Sequence, residues 1–184
     1  IAMINKYFAG EVPAWSNQKT EFDADMEATV ASVIEKYTKE MDNMQFSVAL
    51  AEVWRLISRS NKYIDETQPW VLAKDGSRKE ELGSVMVHLA EVLRITAILL
   101  SPFLTQSPAK IFEQLGLDFE TQGQWENLVF GKFPAGTNVV KKGTPIFPRL
   151  DQEEEVAFLK EQIASTGVQA EEVEETAFDP NETK

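Results

Sequence analysis

A chain of 184 residues with 43% apolar side chains, four Trp and eleven Phe is long enough for one domain with a sizeable core, or for one domain plus an appendage. With no Cys and a single His, His88, it excludes a thiolate zinc site, a disulfide framework and a Cys nucleophile, and a cytoplasmic compartment fits that usage. The net charge of −12 argues against a nucleic-acid partner until it is divided: residues 151–184 hold eleven acidic side chains against two basic ones, and residues 1–150 carry only −3. A near-neutral body can still present a local basic patch.

Ile1, Ile4 and Phe8 have helical spacing and Gly10 supplies a stop, so the chain opens on the last turns of a helix. No leader pattern is present, and Ile1-Ala-Met-Ile-Asn reads as the interior of a longer chain, which makes an excised fragment the expectation. After a loop over 11–19, Phe22, Met26, Val30, Val33, Tyr37 and Met41 mark an amphipathic helix, with Asp23, Asp25 and Glu27 in or before its first turn to complement the helix dipole. A second helix follows, with an apolar stripe at Phe46, Leu50, Val53, Ile57 and Ile64 and a basic ridge at Arg55, Arg59 and Lys62. It breaks at Thr67-Gln68-Pro69-Trp70, where Thr67 reads as an N-cap and Pro69 as the first helical residue. Ser77-x-x-Glu80 has the form of a capping box for a long apolar helix through Leu82, Met86, Leu89, Leu93, Thr96 and Leu100. His88, Glu91 and Arg94 on that helix favour a protein core over a membrane span. A helix from Ser107-Pro108 closes at Gly116.

Residues 117–150 are punctuated by Gly and Pro and read as loops with one short strand pair. Residues 151–166 form a C-terminal helix with Val156, Leu159 and Ile163, and 167–184 an acidic linker or tail. The expected architecture is all-α, an antiparallel helical bundle over 1–150 with an irregular, loop-rich segment, followed by that helix.

The chain holds no Gly-x-Gly-x-x-Gly, no Walker loop and no pair of histidines for a metal, and no carboxylates at a spacing that demands an acid and base pair. No catalytic and no metal-binding residues are assigned, and a binding module is the expected class. His88 reads as a helical residue on the flank of a packed face. Trp70, a large aromatic fixed at a helix start beside the basic end of the preceding helix, supplies the pairing that single-stranded nucleic acid needs: a π-face for a base and cations for the backbone. The competing class is a helical protein-interaction module, with Trp70 in the core and the basic ridge facing an acidic partner.

Asn61-Lys62-Tyr63-Ile64-Asp65-Glu66-Thr67-Gln68-Pro69-Trp70-Val71-Leu72-Ala73-Lys74 closely resembles a segment of bacterial methionyl-tRNA synthetases, and Ile4–Phe8, Leu99–Phe103 and Pro145–Leu150 resemble further segments in the right order. The resemblance covers roughly residues 1–165 and implies the bundle that reads the anticodon, appended to a class I catalytic domain that makes methionyl-adenylate from ATP with magnesium and charges tRNA. By the same resemblance Trp70 stacks on the first anticodon base, a cytosine, with Pro69 positioning it. The family's other readers, an Asn and an Arg, fall before Ile1, and the catalytic motifs are absent. The chain alone is therefore expected to be inactive and to need no cofactor. Its implied partners are methionine tRNA and the catalytic domain of its own chain, with no membrane. An OB-fold that follows the bundle in many members would make the parent a homodimer. The similar bundles of cysteinyl and leucyl synthetases lack support from the Pro-Trp segment.

Overall fold

A computed structural model describes residues 1–165, and these are helical without a strand. A compact unit spans Ile1–Ile146 and a second unit begins at Phe147. In the first, α1 (Ala2–Phe8) ends where Ala9 turns to φ 53° and Gly10 to φ 91°. α2 (Asp23–Asp42) and α3 (Phe46–Thr67) form an antiparallel hairpin across Asn43, Met44 and Gln45. α2 buries Met26, Val30, Val33 and Tyr37, the face its spacing predicts. α3 is turned about its axis from the expected stripe: Ala49, Val53, Leu56 and Tyr63 are buried, whereas Phe46 is 52% exposed. These residues fill the seam between α2 and a third helix, and Phe46, in the first turn of α3, lies outside it.

The third helix is α5 (Lys79–Leu100), reached through the one-turn α4 (Pro69–Leu72) and a 3₁₀ turn at Gly76–Arg78. It packs against α2, α3, α4 and α6 (Ser107–Leu115), and most of its circumference is buried. Gly76–Leu100 is apolar and long enough to cross a membrane, but 89% of its apolar window lies inside the protein. The capping box does not form. Asp75 accepts the Ser77 N–H (3.0 Å) and hydroxyl (2.6 Å), and Arg78 pairs with Glu81 instead.

Past Gly116 (φ 74°) the chain makes α7 (Phe119–Gln122) and a 3₁₀ turn at Trp125–Asn127. The strand pair expected here is replaced by a single bridge of Asn138 to Glu11, flanked by Val12 N–H to the Thr137 carbonyl (2.8 Å). A buried ion pair on α5 staples this irregular segment. Arg94 donates to both oxygens of Glu91 (2.7 and 2.9 Å) and to the carbonyls of Asn127 (2.8 Å) and Val129 (2.9 Å), while Glu91 accepts the N–H groups of Gly131 (2.8 Å) and Lys132 (3.0 Å). The second unit contains α8 (Gln152–Ser165), whose first turn is capped by the Asp151 carboxylate. The acidic segment 167–184 lies outside the described residues.

Candidate nucleic-acid interface

The sequence Thr67-Gln68-Pro69-Trp70 folds as one helix ending and another starting with a single residue between. Thr67 is not an N-cap. It is the last residue of α3, and its hydroxyl donates back to the Tyr63 carbonyl (2.7 Å). Gln68 takes the left-handed conformation at φ 43° and serves both helices: its N–H closes α3 on Ile64 (3.0 Å) and its carbonyl accepts from Val71 (2.7 Å) and Leu72 (3.2 Å). Pro69 fits the next position because the first helical residue needs no intrahelical N–H bond. With Pro69 and Leu72 buried, the outer face of α4 is left to Trp70, 44% exposed, and Val71. The interaction-module reading that placed Trp70 in the core is not met. Beside the turn lies an open cleft of about 390 Å³, lined by Lys19, Thr20, Thr67, Gln68, Val71 and Arg78 among others.

The basic ridge of α3 carries its own counter-charges. Arg59 bonds Asp25 of α2 (2.6 Å) and Glu66 (2.9 Å), with its side chain only 11% exposed. Arg55 bonds Glu52 (2.7 Å) and Ser32 (3.1 Å). Lys62 reaches Glu66 at 3.4 Å and remains largely in solvent. Spacing on one helix revealed the cations but not that Asp25 crosses from α2 to meet one of them. Sequence reasoning also passed over Trp54, 55% exposed on α3. Its place off the apolar stripe was the available signal.

Beneath the turn lies a buried polar cluster. Asp23, expected only to complement a helix dipole, is fully buried and accepts from Tyr63 (2.6 Å), from Ser84 (2.9 Å) and from both the N–H (3.1 Å) and hydroxyl of Thr20. Burial would push its carboxyl up, but these hydrogen bonds, with His88 adjacent, outweigh burial and hold it below the ordinary value. Burial and the neighbouring Asp23 carboxylate push the Tyr63 hydroxyl far above the usual range. His88 is not on a flank. It is 1% exposed, packed edge-to-face against Trp15 and at a tilt against Phe130, with Nδ1 on the Ser84 carbonyl (2.8 Å) and Nε2 facing Glu27 (3.1 Å). A carbonyl only accepts, so Nδ1 donates. Glu27 is likewise held low: its partial burial is outweighed by Lys19 (2.7 Å) and His88. Among the described residues no three His, Asp or Glu side chains are placed to hold a metal ion.

A helical bundle that leaves a half-exposed tryptophan on the turn following a basic helix has the form of a helical anticodon-binding module. A family model described as the anticodon binding domain of methionyl tRNA ligase matches residues 12–166. The chain belongs to that family. It is 54% identical over 184 residues to the methionine–tRNA ligase of Oceanobacillus iheyensis and 56% identical over 177 residues to that of Listeria monocytogenes, covering all and 95% of this chain respectively. It spans 27% of the length of each of these relatives. The crystal structure of free Mycobacterium tuberculosis methionyl-tRNA synthetase matches 81% of the chain, and 30% of its own, with a TM-score of 0.73 at 28% identity. The same enzyme bound by methionyl-adenylate matches 79% of the chain and 28% of its own, with a TM-score of 0.72 at 28% identity.

Proposed function

We propose that this chain reads the anticodon of methionine tRNA, with Trp70 stacking on the first anticodon base, a cytosine, and Pro69 holding it in place. The observation that carries the reading is the exposed Trp70 ring on a turn whose backbone is fixed at Gln68 and Pro69. Stacking one base on an aromatic contributes about 1–3 kcal/mol, enough for selection but not for tight binding. The phosphate backbone adds a salt-dependent share. Lys62 is the most available cation for it, Arg55 the next, and Arg59 contributes only by exchanging a carboxylate for a phosphate.

In the whole protein this domain would serve a cytoplasmic ligase that uses ATP and magnesium to make methionyl-adenylate and then charges its tRNA, with the catalytic domain in the same polypeptide and dimerisation through a further C-terminal domain. The test is binding to a stem-loop carrying the methionine anticodon, wild type against Trp70→Ala, at two salt concentrations. Weak binding that requires the first-position cytosine and falls with the substitution supports the reading. In the full-length ligase the same substitution should lower tRNA charging and leave adenylate formation intact, and equal losses in both would refute the anticodon role.

A further inference from the structure

The end of α3, which leads into the α4 turn bearing Trp70, is tied to its neighbours by one carboxylate. Asp23 opens α2, and its oxygens take the Tyr63 hydroxyl from α3 (2.6 Å), the Ser84 hydroxyl from α5 (2.9 Å) and two donors of Thr20 from the loop before α2. Three helices and a loop therefore meet at a single buried charge. Tyr63 lies one turn before Thr67, and the Thr67 hydroxyl donates to the Tyr63 carbonyl (2.7 Å). Gln68, Pro69 and Trp70 follow without a flexible residue between them. The outer face of α4 has no packing of its own to locate it, because Trp70 and Val71 are turned to solvent and only Pro69 and Leu72 are buried. Where the indole sits therefore depends on the packing of α4 on α5 through its buried face and on where α3 ends and at what angle. The Tyr63 to Asp23 bond ties that end of α3 to α2.

We propose that Tyr63 and Asp23 are positioning residues for anticodon reading: their hydrogen bond fixes the last turn of α3 and, through the Gln68-Pro69 turn, the plane that Trp70 offers to the base. The inference rests on Trp70 being the stacking platform. Tyr63 makes the role separable from simple stability. Its ring is packed by Arg59 (5.8 Å) and His88 (6.2 Å), and Phe retains that packing while deleting only the hydroxyl. A matched control exists in Tyr37, fully buried, whose hydroxyl donates to the Leu99 carbonyl (2.7 Å) near the opposite end of α5. Its hydroxyl is pushed up to about 12 by burial.

The experiment uses the full-length methionine–tRNA ligase carrying this domain, with Tyr63→Phe, Tyr37→Phe, Trp70→Ala and the Tyr63→Phe/Trp70→Ala double variant. A buried hydrogen bond of ordinary strength corresponds to a change of about three- to tenfold. Tyr63→Phe should raise KM for tRNA by about that factor, leave kcat and methionine-dependent ATP–pyrophosphate exchange unchanged, and weaken the preference for cytosine over uracil at the first anticodon position. Tyr37→Phe should lower the melting temperature similarly without moving KM. The double variant should match Trp70→Ala alone, because a displaced platform and an absent one fail at the same step. If Tyr63→Phe behaves like Tyr37→Phe, or adds its full effect to Trp70→Ala, the positioning role is overturned while the stacking role stands. If Trp70→Ala leaves KM unmoved, the stacking reading itself falls, and this inference with it. Should Tyr63→Phe fold too poorly for kinetics, Thr67→Val removes the next bond in the chain. A KM unchanged by it overturns the proposal, and a raised KM with intact exchange supports it.

Discussion

The Glu91–Arg94 pair gives the sharpest energetic test of the fold. Both side chains are buried, Glu91 completely and Arg94 to within 2%, so solvent screening does not discount the interaction. Glu91→Ala removes four acceptor contacts at once: two from Arg94 and one each from the backbone of Gly131 and Lys132. It leaves a guanidinium buried with only the Asn127 and Val129 carbonyls as partners. Breaking one side of a buried pair costs about 3–5 kcal/mol. For a cooperative unit of this size that corresponds to a fall of about 10–16 °C in Tm. Urea unfolding followed by circular dichroism measures the loss, and hydrogen exchange at Gly131 and Lys132 reports whether the irregular segment is what came free. Glu91→Leu/Arg94→Leu should recover part of the stability, since no charge is then stranded, but not all of it, because four backbone groups still lose their partners. A loss below about 1 kcal/mol for Glu91→Ala, with unchanged exchange at those two amides, would show that the loop is held by something else.

Three further outcomes follow from individual contacts. Gly116 sits at φ 74°, where a Cβ would overlap the Asn138 carbonyl oxygen, so Gly116→Ala should destabilise by about 2–4 kcal/mol, read as a drop in the urea midpoint; a neutral effect would contradict the tight approach of α6 to that loop. Asp23 and Glu27 are held below their ordinary values of 3.8 and 4.5, so their stabilisation is complete above those values and is lost as pH falls through them toward the depressed folded ones. Tm should therefore decline steadily below about pH 5, less steeply in Asp23→Asn, and equal slopes in the two proteins would refute the assignment. Lys62→Ala should reduce the slope of log affinity against log salt for an anticodon stem-loop by about 0.7 without altering base preference, and an unchanged slope would remove Lys62 from the phosphate contacts.

The all-α class and the main helices were legible because α2 has one buried face and α3 and α5 begin or end at recognisable breaks. What the pattern could not carry is partnership across helices. Asp23, Glu27 and His88 look like surface residues of two unrelated helices until α2 and α5 pack. Only then does a carboxylate in a first turn become the point to which Tyr63 and Ser84 are tied. The same limit explains the basic ridge, where spacing along α3 is correct and the neutralising Asp25 comes from α2. It also explains the missing strand pair. Residues 127–132 are shaped by side chains on α5 and one local bond from the Val129 N–H to the Asn127 carbonyl (2.8 Å), not by a strand ladder.

The Pro-Trp turn stands apart, because its local chemistry and its tertiary role coincide. Proline after a left-handed residue is preset for the first position of a new helix, and the single turn that follows buries two of its four side chains. The tryptophan is one of the two left over. A Trp left half-exposed by backbone constraint keeps part of its ring open to a partner, the condition a stacking platform needs before its base arrives. That backbone is tied from below to Asp23, which connects the buried polar cluster to the exposed ring through one turn of α3.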